Sequence, residues 1–273
     1  MESLARLLPA YHGDAAGALA GAEAMLDGLL ASRQPAVRWY VVTPPALMLG
    51  ASQRASDVDL KACRTAGIKL YKRAAGGTLV LADSTLAGLD VALPIAHPLV
   101  LSDVTQSYRW LGSAWREALR ALELNAELVT VEAARADQRA ARDGMRGPRV
   151  ACFGGLSPYE VTVGGRKVVG LAQVRRRHGV LLQSAVLLRW TPEALSALVP
   201  GDAGERGRLA AELRRRAAGL DELIGYDVSA ETIVETTNDA LSACGLASVR
   251  DEWSSEELAR TEQLRVERYG PIG

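Results

Sequence analysis

Apolar residues recur three and four apart at Ala18, Ala22, Met25, Leu26, Leu29 and Leu30, which predicts an amphipathic first helix with Asp14 as its cap. Val37, Trp39 and Val41, then Leu47 and Leu49, alternate with other residues around Pro44-Pro45 and predict two strands split by a turn. Asp57 or Asp59 opens a short helix that Gly67 ends. Residues 68–73 and 79–81 predict strands joined by the small-residue loop 74–78, and 86–93 predict a third strand ended by Pro94. Their short links favour antiparallel pairing of the three. From Asp103 and Gln106 a long helix is expected, with Val104, Tyr108, Leu111, Trp115, Leu119 and Leu122 at helical spacing.

The stretch 133–149, rich in Arg, Asp and Ala and carrying Gly144 and Gly147-Pro148, reads as an exposed helix fragment or mobile loop that leads to Cys152. Beyond it, Gly164-Gly165 predicts a turn that folds a strand back, residues 175–179 a second turn, and 180–188 a buried strand. Thr191-Pro192 starts another helix, and further helices are expected at about 206–218, about 230–244, and from the Ser254/Glu257 capping box to about Tyr269. This interleaving predicts an α+β fold with a central, largely antiparallel or mixed sheet flanked by helices.

With 273 residues, 48% of them hydrophobic, the chain suits one large domain or one domain with a small appendage. Its 32 basic and 32 acidic residues cancel, so the global charge argues for neither nucleic acid nor an anionic membrane as partner. Cys63, Cys152 and Cys244 lie far apart without a CxxC pair, which points away from a disulfide framework or zinc site. The apolar patch Leu7-Leu8-Pro9-Ala10 is too short for a signal peptide, and no run approaches the roughly 18 apolar residues of a spanning helix. A cytoplasmic, membrane-free protein is expected.

The chemistry concentrates in residues 151–173. Cys152 stands in an apolar, glycine-flanked run, and Lys167 follows the Gly-Gly turn that can return it to the same sheet edge. A thiolate and an ammonium facing one pocket suit acyl transfer through a thioester. Taken singly, Cys152 reads as buried packing, Lys167 as a solvated strand residue, and Gly76-Gly77 as a tight turn. The run Arg175-Arg176-Arg177 reads as a solvated turn, or as a dock for an acidic carrier. His12, His97 and His178 are scattered and suggest neither a metal nor a catalytic histidine.

Two segments together carry a resemblance: Lys72-Arg73-Ala74-Ala75-Gly76-Gly77-Thr78-Leu79-Val80-Leu81-Ala82-Asp83, and Gly165-Arg166-Lys167-Val168-Val169-Gly170-Leu171-Ala172-Gln173-Val174-Arg175. The chain resembles the lipoate-protein ligase and octanoyltransferase family, of biotin/lipoate ligase fold, over most of its length. Within it, Ala151-Cys152-Phe153 followed by Ser157-x-Tyr159-Glu160, with Lys167 fifteen residues after the cysteine, looks like the cysteine-nucleophile octanoyltransferases. The chain departs from the pattern at Thr78 and Ala82, where a third glycine and a histidine are usual, and at Gln183-Ser184-Ala185-Val186, where a Gln-His-Gly-Ser run is usual.

The resemblance implies that Cys152 takes an octanoyl or lipoyl group as a thioester, Lys167 holds the acyl carbonyl, and a lysine of a lipoyl carrier domain attacks. It assigns Arg73, Gly76 and Gly77 to an acyl tunnel, and Thr78, Asp83, Gly170, Ala172 and Gln173 to substrate binding. The partners implied are glycine cleavage H protein or dehydrogenase E2 lipoyl domains, with acyl carrier protein as a possible donor. No tightly bound cofactor is implied; ATP and magnesium belong to the alternative of an ATP-dependent ligase working through an acyl adenylate. A catalytically silent acyl or carrier-protein binder is the third reading. The expected division is a catalytic domain over 1–250, with a C-terminal helix in 251–273 packed on it.

Overall fold

The computed structural model describes residues 4–143 and 150–272. Its elements run β1 (Ala5–Leu7), β2 (Tyr11–Gly13), α1 (Ala15–Ser32), β3 (Ala36–Val42), β4 (Ala46–Leu49), α2 (Leu60–Thr65), β5 (Lys69–Lys72), β6 (Val80–Ala82) and β7 (Leu86–Pro94). There follow α3 (Arg109–Ala121), β8 (Ala126–Leu128), α4 (Val131–Asp143), β9 (Val161–Val163), β10 (Arg166–Arg175) and β11 (Gly179–Leu187). The chain continues through α5 (Pro192–Ser196), α6 (Ala203–Arg216), α7 (Leu220–Ile224), α8 (Ala230–Ala243), β12 (Ser248–Arg250) and α9 (Ser255–Glu267).

Among the described residues nine strands form the main sheet, in the order β12-β1-β3-β7-β11-β10-β9-β8 with β2 also on β3. The three-residue strands β1 and β2 pair parallel to β3, because the chain returns to the sheet through α1. From β3 to β8 every pairing is antiparallel, which makes the sheet mixed, as the α+β expectation has it. One face packs on α3 and α8 through Trp39, Leu89, Trp115, Leu119 and Leu241. The other face receives α1.

Helix α1 is buried nearly all round rather than along one stripe, because α9 covers its outer side. Arg6 Nη1 and Nη2 donate to the Glu257 carboxylate at 2.8 and 2.9 Å, and Arg260 reaches Asp27 at 2.8 Å, tying α9 to β1 and α1.

Two expectations are corrected. The strands expected on either side of Pro44-Pro45 both form, β3 in the main sheet and β4 at the centre of a three-stranded sheet ordered β5-β4-β6. The expected antiparallel trio is broken up. β5 lies parallel to β4, β6 lies antiparallel to β4, and β7 belongs to the main sheet. The helix expected from Asp103 begins instead with a 3-10 turn at Gln106–Tyr108 and becomes regular only in α3. Asp103 Oδ1 accepts from the amides of Thr105 and Gln106, as a cap does, but Val104 is exposed. Helix α4 stands where the fragment before Gly144 was expected; the loop with Gly147-Pro148 lies outside the described residues.

Candidate active site

The cysteine segment is held by the strand that leaves the glycine loop. Leu79 N donates to Val150 O at 3.0 Å and Cys152 N donates to Leu79 O at 2.8 Å, so two stretches far apart in sequence pair locally as parallel strands. Cys152 then opens a 3-10 turn, Cys152–Gly154, which leaves its side chain half-buried.

Lys167 reaches the same spot from β10. The ladder between β9 and β10 opposes Lys167 to Thr162 but Val169 to Val161, a β-bulge that puts one extra residue in β10. The bulge turns Lys167 onto the face of Gly170. A Cβ added at Gly170 would stand 3.6 Å from Lys167 Nζ and 3.7 Å from Cys152 Sγ. The thiol and the amine thus converge on one side-chain-free point, as the Gly-Gly turn predicts. In this turn Gly164 and Gly165 both have positive φ, 56° and 75°, which favours glycine.

Lys167 is not the solvated residue that strand position alone suggests; it is 1% exposed. Its Nζ donates to Cys152 O at 2.8 Å and Gly155 O at 3.2 Å, and forms an ion pair with Glu160 Oε1 at 2.7 Å. The Phe153 ring lies 5.3 Å from Nζ and adds its π face. Glu160 is equally buried, and its carboxylate also accepts from Ser157 N at 2.7 Å and Leu171 N at 3.3 Å. Burial pushes the Glu160 carboxyl above its ordinary value, against the opposing pull of Lys167. The residue before it, Tyr159, has φ of +65°, a left-handed conformation uncommon for a bulky side chain. Tyr159 N donates to Val129 O and Val129 N to Glu160 O, both at 2.8 Å, which holds that turn in place.

Glu160, the last residue of the Ser157-x-Tyr159-Glu160 run, is a site residue to which the sequence assigns no role. Its signal is a lone carboxylate entering an apolar strand seven residues before Lys167.

A cleft of about 550 Å³, its open mouth included, runs from Cys152 across the sheet. Its walls are Leu19, Met48, Val80, Leu86 and Leu171, and its floor is the small residues Gly170, Ala172 and Ala185. Arg73 also lines it and donates to Thr78 O at 3.1 Å, while its buried Nε has no partner among the described atoms.

The remaining sequence candidates fall outside this lining. Gly77, with φ of +96°, shapes the loop, whereas Gly76 has ordinary φ and open space around it. The loop is pressed against Gly50, where an added Cβ would lie 1.8 Å from Gly77 O. Thr78 contributes its carbonyl to Arg73, and Asp83 accepts from Thr85 N and Oγ1 in the turn before β7. Gln173 donates to Val104 O and accepts from Arg175, whose Nη2 donates to Leu101 O and Ser107 Oγ; these two motif residues tether the loop before α3. Ser184, at a departure position, does border the cleft, but its hydroxyl accepts from Trp115 Nε1 at 2.8 Å on the opposite face of the sheet. Among the described residues no group of three or more His, Cys, Asp or Glu could hold a metal, and no helix is long and apolar enough to cross a membrane.

Comparisons with known proteins converge on one family. The lipoyl protein ligase A/B catalytic domain model matches residues 14–242. The octanoyltransferase LipM of Kyrpidia tusciae is 34% identical over 264 residues, covering 95% of this chain and 94% of its own. That of Moorella thermoacetica is 32% identical, over 85% of this chain and 83% of its own. Among solved structures, the bi-partite lipoate protein ligase of Thermoplasma acidophilum superposes with a TM-score of 0.79 at 21% identity, covering 98% of this chain and 93% of that one. A lipoate-protein ligase A bound with ATP gives 0.76 at 21% identity, over 97% and 95%. These two share the fold.

Proposed function

The chain belongs to the lipoyl protein ligase A/B catalytic-domain family, and from that premise we propose that it transfers an octanoyl group from a carrier thioester to the lysine of a lipoyl domain, through a thioester on Cys152. The observation that carries this is the convergence of Cys152 Sγ and Lys167 Nζ on Gly170 at the head of an apolar cleft.

In the first half-reaction Cys152 gives up its thiol proton and its thiolate attacks the acyl carbonyl; the Sγ–C bond forms, the donor's S–C bond breaks, and the departing donor thiolate takes up that proton. Lys167 is the cation at hand for the oxyanion. Its longest bond, to Gly155 O at 3.2 Å, is the one exchanged for the substrate oxygen. In the second half-reaction the neutral amine of the acceptor lysine attacks, the C–N bond forms, Sγ–C breaks, and the amine proton passes to the departing thiolate. The products are an amide and a free Cys152. A thioester already carries the activation, so ATP and magnesium have no part in this sequence. The acceptors in this reading are E2 lipoyl domains or glycine cleavage H protein, with acyl carrier protein as donor.

The test is modification of a lipoyl domain with octanoyl-carrier thioester and no ATP, followed by intact mass. An octanoyl increment that Cys152→Ser abolishes is expected. Modification that requires free octanoate and ATP and survives Cys152→Ser would make the protein a ligase instead.

A further inference from the structure

The cleft ends at a wall that nothing in the reaction requires. Register across β10, β11, β7 and β3 sets the side chains of one face in rows. Gly170, Ala185, Gly88 and Tyr40 form the row at Cys152, and Val174, Leu181, Ala92 and Ala36 form an apolar row further along. Between them runs Ala172, Gln183, Asp90 and Arg38. Rows two residues apart are spaced about 6.7 Å along the strands. Past this middle row lies a second, much tighter recess with free space of about 10 Å³, with Ala22, Leu26, Ala74, Val174 and Leu181 in its walls. Leu19 and Gln183 line both spaces. The Glu23 carboxylate and the Tyr269 hydroxyl, hydrogen-bonded to each other, also line the second recess.

Both halves of the wall are held by one buried ionic unit. Gln183 Nε2 donates to Asp90 Oδ1 at 2.8 Å, and Arg38 Nη2 donates to Asp90 Oδ2 at 2.6 Å. The same Arg38 nitrogen donates to Ala18 O at 2.5 Å, on the α1 turn that carries Leu19. Arg38 gets that close because Gly21 has no side chain; a Cβ there would lie 2.0 Å from Nη1. Arg38 and Asp90 are 1% and 0% exposed, and desolvating such a pair costs more than apolar packing of the same volume. What the pair secures is the position of two side chains, one on the helix and one on the sheet, at the end of a cleft.

We propose that Leu19 and Gln183, clamped by the Arg38–Asp90 pair, are the end wall of the acyl cleft and set the longest straight saturated chain it accepts. The inference rests on the acyl-binding reading of the cleft given above. Removing the wall opens the apolar row beyond it to longer chains. A bulkier side chain at Leu19 moves the wall toward Cys152.

Chain-length preference tests this in the full-length protein. Binding of hexanoate, octanoate, decanoate and dodecanoate is measured by titration calorimetry for wild type, Leu19→Ala, Gln183→Ala and Leu19→Phe, beside octanoyl transfer to a lipoyl domain. The expected result is a rise of at least tenfold in the dodecanoate-to-octanoate affinity ratio for Leu19→Ala and Gln183→Ala. Leu19→Phe, which leaves no cavity, is expected to shift preference to hexanoate by a similar factor, since one methylene in an apolar pocket is worth on the order of tenfold or more. Folded variants that all keep the wild-type chain-length order would overturn the wall. Failure of the wild type to transfer octanoate while the binding order shifts as stated would overturn the transferase reading and leave the wall standing.

Discussion

Lys167 Nζ lies 2.7 Å from Glu160 Oε1, and neither side chain is more than 2% exposed. With Cys152 O and Gly155 O this uses all three ammonium hydrogens, so the cation is fixed within reach of the thiol before any substrate arrives. A buried charge of this kind is tolerable only with its partner.

Lys167→Met therefore strands the Glu160 carboxylate, and should lower unfolding stability by about 3–5 kcal/mol as well as abolish transfer. Adding Glu160→Gln to Lys167→Met should restore most of that stability and none of the activity. Denaturant midpoints of the two single variants and the double variant, read against transfer rates, check this. Recovery of activity in the double variant would show that the ammonium has no chemical role.

Gly170→Ala separates packing from chemistry. The added Cβ would meet Lys167 Cε at 3.4 Å and Cys152 Sγ at 3.7 Å, ordinary contacts that the fold can hold. It occupies the point where the acyl carbonyl must stand between them. Thermal melting should be nearly unchanged while transfer falls about 100-fold, the scale of a misplaced reacting group.

The loop that carries Cys152 is also held from behind. Arg216 Nη1 donates to Asp137 Oδ1 at 2.8 Å and Gly154 O at 3.3 Å, Asp137 Oδ2 accepts from Leu156 N at 3.0 Å, and Arg216 Nε pairs with Glu212 Oε1 at 2.7 Å. Arg216, with help from Arg215, holds the Glu212 carboxyl below its ordinary value of 4.5. A depressed carboxyl stabilises the fold above its unfolded value and loses that contribution as pH falls through the folded one. Wild type should accordingly be more stable than Glu212→Gln at pH 7, by no more than about 1 kcal/mol for a partly exposed pair. That difference should shrink as pH falls below 4.5. Denaturant midpoints at neutral and acid pH measure it.

Much of this site is readable from sequence because it rests on local devices. The Gly164-Gly165 turn announces itself, and it is what returns Lys167 toward Cys152. Three of the helices with side-chain caps, α1 behind Asp14, α2 behind Asp59 and α9 behind Ser254, begin as their caps predict. What sequence conceals depends on partners far along the chain. The strands β1, β2, β8 and β12 have three residues each and no periodicity of their own; pairing of β1 and β2 with β3, of β12 with β1 and of β8 with β9 makes them strands. β5 and β6 read as partners of β7 until the second sheet claims them. Glu160 shows in sequence only as a lone carboxylate entering an apolar strand; its pairing with Lys167 depends on the Tyr159 turn and the β10 bulge. Gln183 and Leu19, 164 positions apart by their numbers, meet only through the rows of the folded sheet.

The central claim, that Cys152 carries the acyl group, is tested most directly by incubating the protein with octanoyl-carrier thioester, without acceptor, and recording its intact mass. The prediction is a single octanoyl increment on Cys152, removed by hydroxylamine at neutral pH and absent from Cys152→Ser. A folded, transfer-active protein that forms no such adduct, or whose Cys152→Ala variant still modifies the lipoyl domain, would contradict it.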